Sequence, residues 1–343
     1  MKPIIECVPN FSEGLNADVI TQIAAGINQT AGVNLLNIDA GHDANRTVIT
    51  FAGEPDAVVE AAFNCIRKAT ELIDMRTQKG EHPRMGATDV CPLVPVSNIT
   101  LAQVDVYAKL LAARVGAELK IPVYLYEYSQ ADKARSNLSV IRSGEYEGFF
   151  EKIKQPAWQP DFGPAEMNAK AGATVIGARN FLIAYNVNLN TKSVNLAAEI
   201  AADVRESGRL RINEEGKKRV PGLLKGVKAI GWYMEEYKCA QVSTNITDIT
   251  LSPIHQVFET VAERAKAYGT EATGSELIGL IPLSAMKEAG QYFAKKQQMD
   301  NLPEEQLIQL AINTMGLNAV KQFYPQKRIL DYLLNNLNEG AKA

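Results

Sequence analysis

Ten consecutive residues, Gly80-Glu81-His82-Pro83-Arg84-Met85-Gly86-Ala87-Thr88-Asp89, gather an imidazole, a guanidinium, two carboxylates and two glycines into one turn-rich stretch. Proline after His82 biases that histidine away from helical backbone, so its ring should project from a loop. An unperturbed imidazole pKa of about 6.5 lets the ring accept and return a proton near neutrality, and the chain has only three histidines to choose from. His82 is therefore the first candidate for general acid–base work. Two blander or different readings stand beside it: a satisfied loop histidine, and a divalent metal held by His42 and His82 with Asp39, Asp43 or Glu81. None of those metal-ligand pairs has helix-face spacing.

The elements around this loop must position it. Ile4 to Val8 reads as a buried strand, Asn16 as the N-cap of a helix over 17–30, and 33–39 with 46–51 as a hairpin whose tip carries Asp39 and His42. Pro55 opens a helix with apolar residues at helical spacing, which leads directly into the loop. Val90 to Val96 resumes as a strand broken by Pro92 and Pro95, hence an edge strand or a bulged one. Thr100 caps a helix to about Leu119, and 122–128 alternates as a half-buried strand does. The stretch 130–158 reads as a charged, solvated connection. Residues 160–174, rich in proline and glycine, mark the crossing between domains, a favoured place for ligands.

The second half repeats the order: a strand over 179–189, a helix capped by Thr191, a strand pair at 226–234 and 241–246, a helix over 251–268, a strand over 276–282 and a helix capped by Ser284. Helices follow from 302 onward, with 339–343 expected to fray. The fold class expected is α/β of the α+β type. Two similar subdomains, each a mixed, mostly antiparallel sheet of β-α-β-β-α-β order with helices packed on it, occupy 1–178 and 179–325, and 326–343 forms a helical tail.

Thirty-six basic and 39 acidic residues give a net charge of -3, which offers nucleic acid or an acidic membrane no electrostatic attraction and favours small-molecule partners. The start has no signal-like apolar run, and four scattered cysteines without CxxC pairing suit free thiols in a reducing cytoplasm. No Walker loop, GxGxxG, GxSxG or HExxH is present, so no metal or nucleotide is expected.

Four segments, Glu6-Cys7-Val8-Pro9-Asn10-Phe11-Ser12-Glu13-Gly14, Asp39 to Val48, Lys79 to Val90 and Gly177 to Asn186, together resemble the glutamate formiminotransferase family. Ala240 to Asn245 and Gly279 to Leu283 continue the resemblance, which runs from residue 4 to about 337. It resembles the stand-alone bacterial form, without the cyclodeaminase fused in animals. The resemblance implies transfer of a formimino group between N-formimino-L-glutamate and N5 of tetrahydrofolate, a step of histidine degradation. It also implies two α/β subdomains with folate as co-substrate in a cleft between them, within a homodimer. The family's catalytic histidine carries over to His82, and its folate-contacting segment to Gly163, Pro164, Ala165, Glu166, Met167, Asn168, Ala169, Lys170, Ala171 and Gly172, whose interior differs from the animal pattern.

One base that then acts as acid is sufficient for that reaction, and His82 is assigned both transfers. Asp39 is placed to orient the imidazole, against a turn cap as the alternative. Arg84 is placed to hold a substrate carboxylate bidentately, against a surface ion pair. Two other functions remain open: a cyclo-ligase-like enzyme using 5-formyltetrahydrofolate and ATP, and a folate-binding protein without turnover.

Overall fold

The computed structural model describes residues 2–213 and 216–340. The chain divides into two compact units, Met1–Asn180 and Phe181–Ala343.

The N-terminal unit runs β1 (Ile4–Cys7), β2 (Asn10–Phe11), α1 (Ala17–Asn28), β3 (Val33–Gly41), β4 (Arg46–Gly53), α2 (Pro55–Leu72), β5 (Thr88–Ser97), α3 (Leu101–Leu119), β6 (Val123–Leu125), α4 (Leu138–Ile141), α5 (Glu145–Lys152) and β7 (Thr174–Ala178). Local chemistry explains the helix starts. Asn16 accepts from the N–H groups of Asp18 and Val19, Pro55 begins α2, and Thr100 with Gln103 closes a reciprocal capping box on α3.

Both β1 and β2 pair antiparallel with β4 on one side and β5 on the other; against β4 the register is continuous, Glu6 opposing Ala52 and Asn10 opposing Val48. They are one strand interrupted at Val8 and Pro9. β3 extends the sheet beyond β4, while β7 joins β5, and β6 joins β7, in parallel. The sheet is thus mixed rather than uniformly antiparallel. β5 is central, not an edge: Pro95 sits where the register with β1 shifts, and Pro92 offers only its carbonyl, taken by Val8 N–H at 3.1 Å. Ile5, Cys7, Ile49, Phe51 and Leu93 point into the helix-packed core, so the alternate residues Glu6, Val8, Asn10, Arg46, Val48, Thr50 and Ala52 occupy the opposite face.

Two expectations fail here for the same reason. The stretch 130–158 is not a solvated connection, since it buries Ile141, Tyr146 and Phe149, and the Tyr124 and Phe149 rings meet edge to face at 5.2 Å. Residues 160–174, expected to mark the crossing between domains, lie within the N-terminal unit, and the apolar run that begins at Thr174 is β7 of the first sheet. In both cases apolar residues that look isolated in sequence find partners across the sheet.

The C-terminal unit runs β8 (Ile183–Leu189), α6 (Val194–Val204), a hairpin of β9 (Arg209–Asn213) and β10 (Gly216–Val220), then β11 (Val227–Met234), β12 (Cys239–Ile246), α7 (Ile254–Ala267), β13 (Ala272–Ile278), α8 (Leu283–Lys296), α9 (Glu304–Met315), α10 (Pro325–Arg328) and α11 (Leu330–Gly340). Its sheet is antiparallel, in the order β11-β12-β8-β13. The β9–β10 hairpin, rich in charge, is an insertion that periodicity alone does not reveal. Ser193 rather than Thr191 caps α6, and Pro282 rather than Ser284 stands at the N-cap of α8. The α10–α11 tail joins this unit through a parallel bridge between Ile281 and Ile329 and a 2.7 Å bond from Leu283 N–H to Asp331. α11 reaches Gly340, and the remainder of the expected frayed end lies outside the described residues. Among the described residues no helix is long and apolar enough to cross a membrane.

Candidate active site

The loop following α2 is fastened on two sides. Towards the β3–β4 turn, Asn45 donates to Lys79 O at 2.5 Å, Gln78 donates to Asn45 O at 3.0 Å, and Glu81 N–H reaches Asp43 O at 3.2 Å. Towards β2, Ser12 N–H donates to Ala87 O at 2.9 Å and Ser12 Oγ to Gly86 O at 2.8 Å. A third contact joins it to the segment expected to hold folate. Ala87 N–H donates to Ala171 O at 2.8 Å, Ala173 N–H to Met85 O at 3.1 Å, and Gly86 bridges Gly172. Glycine is required at both crossing points: a Cβ on Gly86 would lie 2.1 Å from Ala173 O, and one on Gly172, at φ +73°, would lie 2.3 Å from Met85 O. The two stretches, about 85 residues apart in sequence, form one backbone ledge.

His82 projects from this loop, half-buried, between two guanidinium groups. Its Nδ1 lies 2.7 Å from Pro83 O and 2.8 Å from Arg46 Nη1, and Arg46 Nη1 also contacts Nε2. A carbonyl only accepts, so this network places the proton on Nδ1 and leaves the Nε2 lone pair facing Arg46. Arg46 Nη2 donates to Asn10 Oδ1. Arg142 Nη1, 3.4 Å from the ring, donates to Pro83 O at 2.7 Å and pairs with Asp89 Oδ2 at 3.1 Å. Asp89, almost wholly buried, in turn accepts from Met85 N–H at 3.1 Å.

Burial and then the charges of Arg46 and Arg142 hold the His82 pKa well below its ordinary value. Burial also lowers Arg46, to about 10, so it stays cationic at neutral pH. The result is a neutral imidazole between two positive groups. Such a ring takes a proton only with difficulty, and once protonated is a strong acid that returns it readily. An anion entering here meets two cations and a buried Arg46 Nε that has no partner among the described residues.

The other expected residues fall in different places. Asp39, on β3, opposes Val48, which opposes Asn10 in turn, so its side chain shares the sheet face of Asn10 and Arg46. Arg84 is turned elsewhere: its guanidinium is taken up by Gln78 Oε1 at 2.9 Å, Glu147 at 2.8 Å and Glu145 at 3.1 Å, with little exposure. Of the 163–172 segment, Met167 and Ala171 are buried, whereas Gly163, Ala165, Glu166, Ala169 and Lys170 are exposed. Asn168 Oδ1 accepts from the N–H groups of Lys170 and Ala171, and Lys170 Nζ donates to Glu71 O at 2.6 Å. His42 is exposed beside Asp43, and His255 stacks on Tyr292 at 4.3 Å. Among the described residues no group of three or more His, Cys, Asp or Glu side chains stands together as a metal site. The four cysteines are free.

Sequence reasoning overlooked Asn10, Arg46, Asp89 and Arg142. Arg46 opens the strand after the hairpin tip, and its alternation with Val48 on the face of Asn10 was the available signal. Arg142 gave none, because it lies 60 residues from His82 in a stretch whose composition reads as surface.

The N-terminal subdomain model of the formiminotransferase domain matches residues 4–179, and the formiminotransferase domain model matches residues 184–335. The chain belongs to the formiminotransferase domain family. It is 47% identical over 334 residues to the formimidoyltransferase-cyclodeaminase of Gallus gallus, covering 97% of this chain and 60% of that one. The chain thus spans about 60% of the length of the animal relatives it matches. It is 40% identical over 300 residues to the glutamate formimidoyltransferase of Streptococcus pyogenes serotype M1, covering 88% of this chain and 96% of that one. A glutamate formimidoyltransferase of Thermoplasma acidophilum is 39% identical over 299 residues. The boundary between the two formiminotransferase matches, at 179–184, brackets the division between the two units at Asn180 and Phe181.

Proposed function

We propose that this chain is a glutamate formimidoyltransferase that moves the formimino group between N-formimino-L-glutamate and N5 of tetrahydrofolate, with His82 as the proton carrier. The observation that carries this reading is the neutral imidazole between the Arg46 and Arg142 guanidinium groups. N5 attacks the amidine carbon, and its proton passes to His82 Nε2. The imidazolium then gives that proton to the glutamate nitrogen, the bond from that nitrogen to the formimino carbon breaks, and glutamate leaves. One group used twice balances both transfers.

Arg46 and Arg142 take the role first given to Arg84, holding a carboxylate of the substrate beside the ring. Burial of both substrates on a fixed ledge should contribute several kcal/mol through proximity. Asp39 orients the site from the same sheet face, and the exposed edge of 163–172 contacts the folate. The test is to mix the purified chain with tetrahydrofolate and formiminoglutamate without ATP and to follow the folate product spectrally. Product formation supports the reading. Turnover of 5-formyltetrahydrofolate only with ATP, or folate binding without turnover, would replace it with one of the two other functions.

A further inference from the structure

The mechanism uses only one end of the sheet face that carries Asn10 and Arg46. Along that face, the β1–β2 line runs from Ser12, bonded to the Gly86 ledge, through Asn10 and Val8 to Glu6. Successive side chains on one face stand about 7 Å apart, so Glu6 lies two steps beyond Asn10, on the side away from the ledge. The intermediate step holds Thr50 on β4, opposed by Asn37 on β3.

Three polar side chains stand along this stretch. Glu6 is 2% exposed and Thr50 1% exposed, and the Glu6 carboxyl faces the Arg179 charge. Thr50 Oγ1 and Asn37 Nδ2 are both buried without a partner. Ala52 and Val94, which flank Glu6 across the strands, are buried too. A buried polar atom left unpaired costs about 1–3 kcal/mol, more for a charge, and a row of them on one face next to a catalytic base marks a surface awaiting a polar ligand. Burial pushes the Glu6 carboxyl up to about 7, against the opposing pull of the Arg179 charge.

Resting on the transferase reading, we propose that Glu6, with Thr50 and Asn37, reads the pyrimidine edge of the pterin. The chemistry matches in kind and in direction. That edge offers two adjacent donors, the ring N3–H and the 2-amino group, which one carboxylate accepts as a pair, and a neighbouring carbonyl that suits the Asn37 amide. N5 and the tail-bearing carbon lie on the opposite side of the bicycle. With N5 at His82, the pyrimidine edge runs along the strand towards Glu6 and the tail leaves towards the ledge of 86 and 172.

The test measures Kd for tetrahydrofolate and for its 2-desamino-2-methyl analogue, using the full chain. The wild type should bind the analogue at least about tenfold more weakly. Glu6→Gln should weaken tetrahydrofolate about tenfold to a hundredfold, leave the analogue unchanged within about threefold, and so lose the discrimination, with Thr50→Val giving a smaller loss. Discrimination by the wild type is read without any variant, so a misfolded variant does not remove the test. A wild type that turns over formiminoglutamate yet binds both pterins equally, or a Glu6→Gln chain with unaltered discrimination, overturns this assignment alone. A wild type that binds no tetrahydrofolate overturns the transferase reading and this assignment together.

Discussion

In the C-terminal sheet, the face turned away from the helix-packed core carries polar side chains that hydrogen-bond one another. Trp232 Nε1 donates to Gln241 Oε1 at 2.8 Å, Gln241 Nε2 donates to Asn188 Oδ1 at 2.7 Å, and Tyr237 donates to Glu276 Oε1 at 2.6 Å. The corresponding face of the N-terminal sheet is also polar, yet there Thr50 Oγ1, Asn37 Nδ2 and Arg46 Nε are buried without a partner among the described residues, Glu6 is buried with only the Arg179 charge to oppose it, and His82 lies between two guanidinium groups. One face is a finished network that fixes strand register. The other stores unmet polar demand, which costs stability and is retained where a ligand supplies the missing half. On the function and the pterin contact proposed above, both the chemistry and the recognition fall to the N-terminal unit's own side chains.

The largest way to break this contrast is Arg142→Ala. It leaves Asp89 buried without its cation, so urea unfolding at pH 7 should show a loss of about 3–5 kcal/mol. Next is Gly86→Ala, whose Cβ collides with Ala173 O and pries the ledge apart; about 1–3 kcal/mol should be lost, together with tetrahydrofolate affinity. Gly148→Ala, with open space around it, is the control and should change neither.

Gln241→Leu tests the other side of the comparison. It takes the amide away from Trp232 Nε1 and from the buried Asn188 Oδ1 and should cost about 1–2 kcal/mol of stability, with kcat at saturating substrates unchanged. Glu6→Gln should behave in the opposite way and be at least as stable as the wild type. Because the folded Glu6 pKa of about 7 exceeds the unfolded value near 4.5, its favourable contribution is full below pH 4.5 and is lost as pH rises through 7. The Tm gain of Glu6→Gln should therefore be larger at pH 8 than at pH 5. A gain that is the same at both, or a Tm loss, would mean that Glu6 is already paired.

Local signals carried much of this structure, and long-range ones did not. Asn16, Pro55 and Thr100 announced their helices because capping is decided within four residues. The His82 loop was legible because proline, glycine and ionisable groups crowd one segment. Pro92 and Pro95 announced an edge or a bulged strand and the bulge is there, but the central position of β5 depends on partner strands that no local pattern encodes. Of the two readings of Arg84, the structure shows an ion pair, whose partners the sequence hid for a similar reason: Glu145 and Glu147 lie some 60 residues away. Arg142 became visible only once α4 packed against the His82 loop, and Glu6 only once strand register put it on the sheet face of Asn10.

The central claim is that one imidazole, held neutral by its surroundings, carries the proton in both directions. It is tested most directly by kcat of His82→Ala with saturating tetrahydrofolate and formiminoglutamate, measured beside its Kd for tetrahydrofolate. A fall in kcat of about 100-fold or more with Kd retained is the predicted result. Turnover close to that of the wild type would contradict it.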